Sequence, residues 1–457
     1  MRQYSAGIYG LLPLAFRSIA KIERICREEM NKIGGQEIKM PCVATKELWD
    51  ETNRYATFGK DMIKFKDRNE KEMVLNPTHE EPVVYLAKQE ISSHKQLPVM
   101  LYQIQTKFRD EPRPRGGLIR LREFTMKDAY SFHASEECLK EFYDKVHTAY
   151  TNFYKRAGCK NFVSVMSDNG LFGGKYSHEF QLISPSGEDT LIYCENCKYS
   201  ANEEISSSPF VIKTEEEKKL EKVNTPNIKT IEQLAQFLNI QNSQTAKAVM
   251  FETLKDKTPV IAFVRGDLEV IDKKIRTIIG DEINPARERI IESCGAIPGS
   301  TGPIGLDLNK CFVVIDHTVE KSSNLATGAC ETDKHFINFN FKRDFYNKLS
   351  EEQKKNVFIS DIAAARNGDP CPSCSNSLKE IRGIEIGNIF HLGTKYSKSM
   401  ECSVLDSQGK KIYPIMGCYG IGITRLLPSI IEESHDERGP ILPLPVAPFE
   451  AHICVIN

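Results

Sequence analysis

The fold of this chain is decided by residues 108–124, which read FRDEPRPRGGLIRLREF. Prolines and glycines at residues 114–117 predict a turn between two strands, Thr106–Arg115 and Leu118–Phe124. Five arginines lie within residues 109–122, a density suited to binding phosphates, and Phe124 offers a flat face on which a base can stack. A solvated basic hairpin would carry the same charge, so charge alone leaves both interpretations open.

The segments around this hairpin predict an α+β fold. Apolar spacing indicates helices over residues 11–33 and 136–157, and alternation around residues 67–69 indicates a second hairpin over residues 62–75. Antiparallel hairpins with helices beside them differ from the alternating strands and helices of a parallel sheet. We therefore expect an antiparallel sheet flanked by helices.

A second domain is predicted inside the first. The composition changes near residue 206, and residues 228–345 alternate strand-like and helical segments in the manner of a separate α/β unit. Compact domains accept insertions at surface loops. We divide the chain into a core (1–208 and 369–446), an insertion (209–368) and a short final segment (447–457).

Composition places the chain among ordinary globular proteins. The 457 residues include 61 Lys and Arg against 62 Asp and Glu, a net charge of −1, with 40% hydrophobic residues. This balance excludes a polybasic tail as the main nucleic-acid binding device. Since the sequence has neither a long apolar run nor a signal-peptide pattern at its start, we expect a cytoplasmic protein with no membrane partner.

Three further motifs have both functional and structural interpretations. Thr78 and Glu80 share one side of an extended segment and suit a small cationic group, although a helix N-cap at Thr78 explains the pattern equally well. The glycine-rich residues 417–425 predict a strand-to-helix turn where Arg425 meets an anion, but a plain turn is equally consistent. Residues 173–180 form another glycine-rich turn, and its His178 would more often be structural.

Four cysteines give the most specific spacing in the chain. They form the pairs Cys194-x-x-Cys197 and Cys371-x-x-Cys374, one on either side of the predicted insertion. Two such knuckles make a closed tetrahedral Zn²⁺ site of the structural kind. A folded insertion would bring its two ends together, so we predict zinc, with reduced and unligated thiols as the alternative.

Taken together, these blocks resemble the class II aminoacyl-tRNA synthetases, and specifically the bacterial-type prolyl-tRNA synthetase family. The resemblance runs from about Ala6 to the end of the chain and is most specific at residues 108–115, 122–132, 177–180 and 417–425. It implies a homodimer that uses ATP with Mg²⁺ to activate proline and transfers it to tRNA(Pro). It also implies that residues 447–457 begin an anticodon-binding domain.

The resemblance also implies roles for single residues. Arg109 would bind the α-phosphate and the amino acid carboxylate, and Arg425 and Arg120 would bind the outer phosphates. Glu111 would hold the adenine amino group, and Phe124 would stack on the adenine ring. Proline would be bound by Thr78, Glu80 and Arg109, with His178 lining the same pocket. Catalysis would then consist of positioning and electrostatics, without a side-chain nucleophile.

The insertion resembles the editing domain of this family. Such a domain has a physical purpose, because a pocket that fits proline cannot exclude alanine, and a missing methylene is worth only about 1–3 kcal/mol. The matching residues are Lys247, Asp316 and His335, together with Gly299 and Gly302 of a glycine-rich loop. Surface, turn and core roles explain the same side chains equally simply.

Three other functions fit parts of the pattern. These are a stand-alone editing hydrolase, a tRNA-binding paralogue without activation chemistry, and a synthetase for another amino acid such as threonine. The presence of Arg109, Glu111, Phe124 and Arg425 argues against the first two. A panel of amino acids in ATP–pyrophosphate exchange distinguishes all of them.

Overall fold

The computed structural model describes residues 1–167, 176–212 and 214–455 of the chain. Two compact units divide it: the first comprises Met1–Leu191 with Ile381–Asn457, and the second comprises Ile192–Glu380. The second unit is wider than the predicted insertion at 209–368. The added segments carry the two cysteine pairs, of which Cys194, Cys371 and Cys374 pack with Ile192 and Leu378 in a small cluster of the second unit.

The first segment of the chain, up to residue 193, is a series of short strands with five helices. Its strands are β1 (Arg2–Ser5), β2 (Ile8–Gly10), β3 (Gly35–Glu37), β4 (Val43–Thr45), β5 (Ile63–Lys66), β6 (Glu72–Leu75), β7 (Val99–Phe108), β8 (Glu123–His133), β9 (Phe162–Ser167), β10 (Ser177–Ile183) and β11 (Asp189–Tyr193). Its α-helices in the described residues are α1 (Pro13–Lys32), α2 (Lys46–Asp50), α3 (Arg54–Thr57), α4 (Glu80–Glu90) and α5 (Glu136–Ala157).

The remaining elements follow in chain order. The strands are β12 (Ser200–Asn202), β13 (Glu221–Asn224), β14 (Ala246–Thr253), β15 (Pro259–Arg265), β16 (Ile283–Pro285), β17 (Phe312–Asp316), β18 (Leu325–Gly328), β19 (Lys334–Phe339), β20 (Val357–Ser360), β21 (Lys379–Gly393), β22 (Val404–Leu405), β23 (Lys411–Ile412), β24 (Ile415–Ile421), β25 (His435–Asp436) and β26 (Gly439–Pro440). The helices are α6 (Ile231–Leu238), α7 (Asp272–Ile279), α8 (Glu288–Glu292), α9 (His317–Lys321), α10 (Phe341–Asp344), α11 (Glu351–Lys354), α12 (Lys395–Ser399) and α13 (Ile423–Glu433).

A large sheet forms the centre of the first unit. Seven of its strands run in the order β3–β7–β8–β24–β21–β10–β9, and every neighbouring pair is antiparallel except β3 with β7. This arrangement confirms the predicted antiparallel sheet of an α+β fold. The predicted helices over 11–33 and 136–157 are α1 and α5, and the hairpin over 62–75 is β5 with β6.

Side chains alternate between the two faces of this sheet, and each face packs against a different set of helices. On β8, Ala129 belongs to the core formed with α1, α5 and α13, whereas Tyr130 and Phe132 belong to a core formed with α4 and α12. The first core is rich in aromatic side chains of α5, such as Tyr150 and Phe153. The face covered by α4 and α12 also carries the site described below.

The arginine-rich segment differs from its prediction. The paired strands are Val99–Phe108 and Glu123–His133, so residues 109–122 are the connection and not the hairpin itself. Pro112 and Pro114 have no N–H for a strand ladder, and Gly116 and Gly117 both have positive φ. An isolated bridge from Arg115 to Arg120 is the part of the predicted pairing that remains.

The second unit has a mixed sheet in the order β16–β14–β15–β17–β20, in which β15, β17 and β20 are parallel. Ile261 and Val313 face one core of this sheet, and Val260 and Val314 face the other. A separate three-stranded sheet, β13–β19–β18, is antiparallel. None of the helices in the described ranges combines the length and the apolarity that a membrane span requires.

Candidate active site

A cavity of about 270 Å³ opens on the α4 side of the first unit's sheet. Phe124, Met126 and Asp128 of β8 face it, on the same side as Tyr130. Its lining contains seven of the side chains that were predicted to bind ATP or proline, and the structure thus brings them into one space. They are Thr78, Glu80, Arg109, Glu111, Arg120, Phe124 and Arg425.

Arg109 and Arg425 give the cavity its positive charge. Burial, and then the charge of Arg425, lower the pKa of the Arg109 guanidinium. Arg109 Nε donates to the carbonyl of Pro77 at 3.4 Å, and within the described ranges Arg109 forms no ion pair. Arg425 is anchored by donating to the carbonyl oxygens of Ile119, at 2.8 Å, and Glu385, at 2.9 Å. Arg425 NH1 also pairs with Glu385 Oε2 at 3.3 Å, whereas Arg109 has no carboxylate partner among the described residues. Arg109, a partly buried cation, is therefore well placed to receive an anion.

Glu111 and Arg120 are paired with each other. Arg120 Nε donates to Glu111 Oε2 at 3.0 Å, and Arg120 NH1 donates to Glu188 Oε2 at 2.7 Å. Arg122 holds the same loop by donating from Nε to the Glu111 carbonyl at 3.1 Å. The ion pairs order a loop that would otherwise repel itself through its arginines. Arg120 therefore stabilises the loop through its ion pairs and also faces any ligand in the cavity.

Thr78 and Glu80 lie at the floor of the cavity, at the start of α4. The helix begins at Glu80, and its N-cap position is His79, so Thr78 is not the N-cap. Thr78 Oγ1 donates to Glu80 Oε2 at 2.7 Å, and Cys418 Sγ donates to Glu80 Oε1 at 3.3 Å. The carboxylate of Glu80 is fully buried among these donors and still borders the cavity.

His178 lies on the other face of the sheet, which corrects its predicted place in the pocket. On β10 and β21, His178 pairs with Ile389, whereas Phe390 and Asn388, which line the cavity, are one residue away on either side. The alternation of side chains therefore points His178 toward α5, where its Nδ1 shares a hydrogen bond of 2.8 Å with the Tyr143 hydroxyl. Burial lowers the pKa of His178. Residues 173–175 of the predicted turn lie outside the described residues.

The glycine-rich residues 417–425 are mostly strand, not turn. Strand β24 runs through Ile421, Gly422 is the N-cap position of α13, and Arg425 lies in the first turn of that helix. Gly417 is required because a Cβ there would stand 2.0 Å from the Tyr419 hydroxyl. At Gly420 the nearest atom to a built Cβ is Met126 Sδ at 3.7 Å, so this glycine keeps the cavity open.

A second cavity, of about 230 Å³, lies in the second unit. Three of the predicted editing residues line it: Lys247, Gly299 and His335. Lys247 Nζ donates to Glu269 Oε1 at 2.6 Å, and His335 Nδ1 shares a hydrogen bond of 2.6 Å with Thr225 Oγ1. Burial lowers the pKa of His335, which keeps its ring neutral at pH 7.

Asp316 and Gly302 have structural positions instead of the predicted places in this cavity. Asp316 is buried at the end of β17, where its carboxylate accepts from Thr318 N and Oγ1 and from the backbone of Ile362 and Ala363. It caps α9 and joins β17 to the segment after β20. Gly302 packs against backbone, since a Cβ there would stand 1.8 Å from the Gly328 carbonyl oxygen.

The four paired cysteines meet in the second unit. The sulfurs of Cys194, Cys197, Cys371 and Cys374 all lie within 4.8 Å of one another, with Cys194–Cys374 and Cys197–Cys371 at 3.5 Å. A tetrahedral Zn²⁺ with Zn–S bonds of about 2.3 Å needs sulfurs about 3.8 Å apart. The donor set and its spacing fit such an ion.

Four polar cavity residues were missed at the sequence level. Asp128 and Cys418 are buried in strands, and Glu385 and Asn388 come from β21, which carries no motif in its own sequence. The signal for Asp128 was strand alternation, because it is in step with Phe124 on the same strand, whereas Cys418 has no such partner on its own segment. Glu385 and Asn388 have no comparable signal before the pairing of β21 with β24 is known.

Comparison with known proteins supports one family. The family model described as tRNA synthetase class II core domain (G, H, P, S and T) matches residues 63–434. The proline–tRNA ligase of Geotalea daltonii is 45% identical over 462 residues, covering 100% of this chain and 78% of that protein. Proline–tRNA ligase 1 of Bacillus thuringiensis subsp. konkukian is 42% identical over 461 residues, covering 100% and 79%.

Solved structures share the fold at low identity. Prolyl-tRNA synthetase of Giardia lamblia in complex with prolyl-adenylate aligns with a TM-score of 0.51 and 12% identity, covering 98% of this chain and 52% of that chain. The Cryptosporidium parvum enzyme complexed with halofuginone and AMPPNP gives 0.50 and 12%, with 98% and 52% covered. This chain thus spans about half the length of these solved chains. The family match and the curated relatives together show that the chain belongs to the class II aminoacyl-tRNA synthetases and, within them, to the proline–tRNA ligase family.

Proposed function

We propose that the cavity of the first unit forms prolyl-adenylate from proline and ATP. The observation that carries this assignment is Arg109, a partly buried guanidinium without an ion pair that faces Arg425 across a cavity with a carboxylate floor. Two cations suit the phosphates, and the floor suits the positively charged nitrogen of an amino acid. The Giardia relative is described in complex with the same adenylate.

The reaction needs positioning more than acid–base chemistry. A carboxylate oxygen of proline attacks the α-phosphorus, an O–P bond forms, and the bond to the pyrophosphate oxygen breaks, with no proton transferred. Arg109 binds the α-phosphate and the attacking carboxylate while negative charge collects on the equatorial oxygens. Arg425 and Arg120 bind the outer phosphates and stabilise the leaving pyrophosphate. Each of these donors is held by the surrounding structure before ATP binds.

Adenine and Mg²⁺ have fitting groups in the same cavity. Phe124 offers its ring to the adenine, and the backbone and carboxylate of Glu111 lie beside it on the loop. The Glu385 carboxylate on the cavity wall is an oxygen donor of the kind that Mg²⁺ prefers. Mg²⁺ bound to the phosphates would neutralise part of their charge during transfer.

Proline recognition is assigned to Thr78 and Glu80. The Glu80 carboxylate is fully buried yet borders the cavity, so a ligand ammonium would meet it with little water present. Arg109 would bind the carboxylate end of the same amino acid. We do not assign His178 to this pocket, because its side chain lies on the α5 face of the sheet.

We also propose that the second cavity hydrolyses alanine from mischarged tRNA(Pro). Its volume of about 230 Å³, its cation Lys247 and its backbone amides at the Gly299 loop suit a small aminoacyl ester. Lys247 would orient the terminal phosphate or ribose, and loop amides would stabilise the developing oxyanion. His335 limits the size of the pocket. Asp316 is left out of this proposal, since its carboxylate is occupied by backbone donors.

A structural zinc ion is proposed for the four-cysteine cluster. The ligands would be Cys194, Cys197, Cys371 and Cys374, whose sulfur spacing fits tetrahedral coordination. The ion would fix the two knuckles of the second unit to each other. No disulfide joins any of the fourteen cysteines, all of which lie in the described residues, and this agrees with a reducing compartment and supports our proposal of a cytoplasmic enzyme.

A homodimer is proposed from exposed apolar side chains near the start of the chain. Tyr4, Leu12, Leu14 and Phe16 are between 44% and 80% exposed, and they lie on β1 and at the beginning of α1. Large apolar side chains left exposed near one another in the sequence suit an interface with a second copy of the chain. Together with tRNA(Pro) as the acceptor of proline, the second copy completes the set of proposed partners.

Amino-acid-dependent ATP–pyrophosphate exchange tests the main assignment. The full chain is assayed with Mg²⁺, ATP and each of a panel that includes proline, alanine, threonine and glycine. We expect exchange to be fastest with proline at low concentrations and weaker with alanine. Exchange that is supported by threonine but not by proline would overturn the assignment, and so would a complete absence of exchange with folded protein.

A further inference from the structure

Arg54 binds the floor of the active-site cavity from behind. It is the first residue of α3, its side chain is 3% exposed, and it does not line the cavity. Its NH1 donates to Glu80 Oε2 and to both oxygens of Glu81, each at 3.0 Å. The guanidinium carbon also lies 5.1 Å from the centre of the Trp49 ring. Two further aromatic rings at 5.3 and 5.4 Å complete this cage, those of Phe58 and Tyr396.

The two carboxylates that share Arg54 differ in whether they face the cavity. Glu80 borders the cavity, and its remaining donors are Thr78 and Cys418. Glu81 is turned away from the cavity and accepts from Thr52 Oγ1 at 2.7 Å. The bond from Arg54 to Glu80 connects Arg54 to a residue that lines the cavity. We expect an effect of Arg54 on a ligand to pass through the charge and orientation of that carboxylate.

The electrostatics depend on one guanidinium between two fully buried carboxylates. Burial raises the pKa of Glu81 and favours its neutral form, whereas Arg54 opposes this effect. Burial acts to lower the pKa of Arg54, but the attraction of Glu81 and Glu80 outweighs it and the net pKa is raised. Other titratable groups that act electrostatically on this cluster come from several elements: His79, Lys107, Arg109, Tyr130, Lys395, Tyr396 and Cys418.

We propose that Arg54 is a positioning residue for proline recognition: by pairing with Glu80 and Glu81 together, it keeps the Glu80 carboxylate aimed into the cavity. This inference rests on the proposed role of Glu80 as receptor of the proline nitrogen. Without Arg54, two buried carboxylates would lie close together with no guanidinium between them, and their repulsion would turn Glu80 away from this position. A displaced Glu80 carboxylate would hold a cationic nitrogen less well.

The test is steady-state ATP–pyrophosphate exchange with the full chain and the variant Arg54→Met. We expect the KM for proline to rise about 10- to 100-fold, as for a lost charge-assisted hydrogen bond, with the KM for ATP within about 2-fold of wild type. Arg156→Met, which removes another ion-paired arginine of the first unit, is the matched control and should change neither KM.

A charge rescue separates positioning from simple support of the fold. Arg54→Met/Glu81→Gln contains one carboxylate instead of two, so the repulsion is gone and the KM for proline should return to within about 5-fold of wild type. A double variant no better than Arg54→Met would overturn the inference. If Arg54→Met is unfolded by circular dichroism, Arg54→Lys decides. A rise of about 3- to 10-fold in the proline KM alone supports positioning, and equal rises for proline and ATP overturn it.

Glu80→Gln distinguishes this inference from the proposed function beneath it. A raised KM for proline in Glu80→Gln with a normal KM in Arg54→Met would remove the role of Arg54 and leave the role of Glu80 intact. A normal KM for proline in Glu80→Gln would overturn both statements, because the proposed role of Arg54 acts through its bond to Glu80.

Discussion

The guanidinium carbon of Arg109 lies 5.4 Å from the centre of the Phe124 ring. Arg109 follows the last residue of β7 and Phe124 is the second residue of β8, so the pairing of these strands brings the two side chains together at the mouth of the arginine-rich loop. One face of the ring thus supports a cation, at a strength of about 1–2 kcal/mol when partly desolvated. Phe124 therefore orients Arg109 as well as offering a surface to a base.

Arg109→Ala should lower the rate of prolyl-adenylate formation at least about 100-fold, because it removes a preorganised donor to the charge that develops at the α-phosphate. Phe124→Leu should act in the same direction but less strongly, by about 10-fold, since the cation loses its support. The measurement is pyrophosphate exchange at saturating proline. Arg113→Ala, an exposed arginine of the same loop that does not line the cavity, is the control. Wild-type exchange by Arg109→Ala would contradict its assignment.

The sequence predicted the elements of the fold better than their ends. Apolar periodicity located α1 and α5 to within about two residues, because a helix that buries one stripe must repeat it. The hairpin over residues 106–124 was misplaced because an arginine-rich loop and an edge strand have similar patterns, and only the prolines mark the difference. Glycines 417 and 420 indicated a turn, but both lie inside a strand. Gly417 makes room for the Tyr419 hydroxyl, and Gly420 lines the cavity.

The site was predictable where a motif carries its own chemistry. Arg109 and Arg425 lie about three hundred residues apart, and a resemblance to a family was needed to place them together. His178 was misassigned because the sequence of one strand does not show which face of the sheet binds the ligand. That becomes clear only when the neighbouring strands are known. Asp316 was misassigned for a related reason, since a carboxylate after a strand caps a helix as readily as it serves a substrate.

Asp316→Asn should reduce the stability of the fold without changing the rate of deacylation. The asparagine keeps one acceptor oxygen of two and no charge, so several of the four bonds to Thr318, Ile362 and Ala363 weaken. We expect a loss of about 2–4 kcal/mol in the free energy of unfolding. Urea unfolding monitored by circular dichroism measures this loss. Asp256→Asn, at an exposed turn of the same unit, should stay within about 0.5 kcal/mol of wild type. Normal stability with lost deacylation would restore Asp316 to the editing site.

Purified protein should contain about one Zn²⁺ per chain, measured by inductively coupled plasma mass spectrometry. The double variant Cys194→Ser/Cys371→Ser should lose it and should melt at a lower temperature, because metal binding is coupled to folding of the site. Cys42→Ser/Cys454→Ser, which leaves the cluster of four sulfurs intact, should keep both zinc and Tm. Zinc retained by the first double variant would show that the ion is bound elsewhere.

Acid should destabilise the first unit through two buried histidines. Burial, and then the charge of Lys107, lower the pKa of His79 to about 4, and burial and then His391 lower the pKa of His133 to about 4. Because the unfolded histidine has a pKa near 6.5, the unfolded state binds more protons between pH 6.5 and 4, and stability falls as the pH falls through that range. Between pH 6.5 and 5 the loss should be about 2 kcal/mol for each histidine.

This loss of stability is measured by urea unfolding at pH 6.5 and pH 5, monitored by tryptophan fluorescence. Trp49 is the single tryptophan of the sequence and belongs to the first unit. His133→Gln has no proton to gain at this position and should show a smaller decrease than wild type. His435→Gln, an exposed histidine of the same unit, should show the full wild-type decrease. An equal decrease in wild type and His133→Gln would assign the acid sensitivity to other groups.

The second cavity should deacylate alanyl-tRNA(Pro). With enzyme in excess over alanyl-tRNA(Pro), Lys247→Ala should slow release of alanine about 10- to 100-fold, because the cavity loses the cation that orients the terminal nucleotide. Lys255→Ala, an exposed lysine of the same unit, should hydrolyse at the wild-type rate. His335→Ala enlarges the cavity and should begin to release proline from prolyl-tRNA, which the wild type leaves intact. Equal rates for wild type and Lys247→Ala, or no hydrolysis by either at saturating protein, would leave this unit without an editing role.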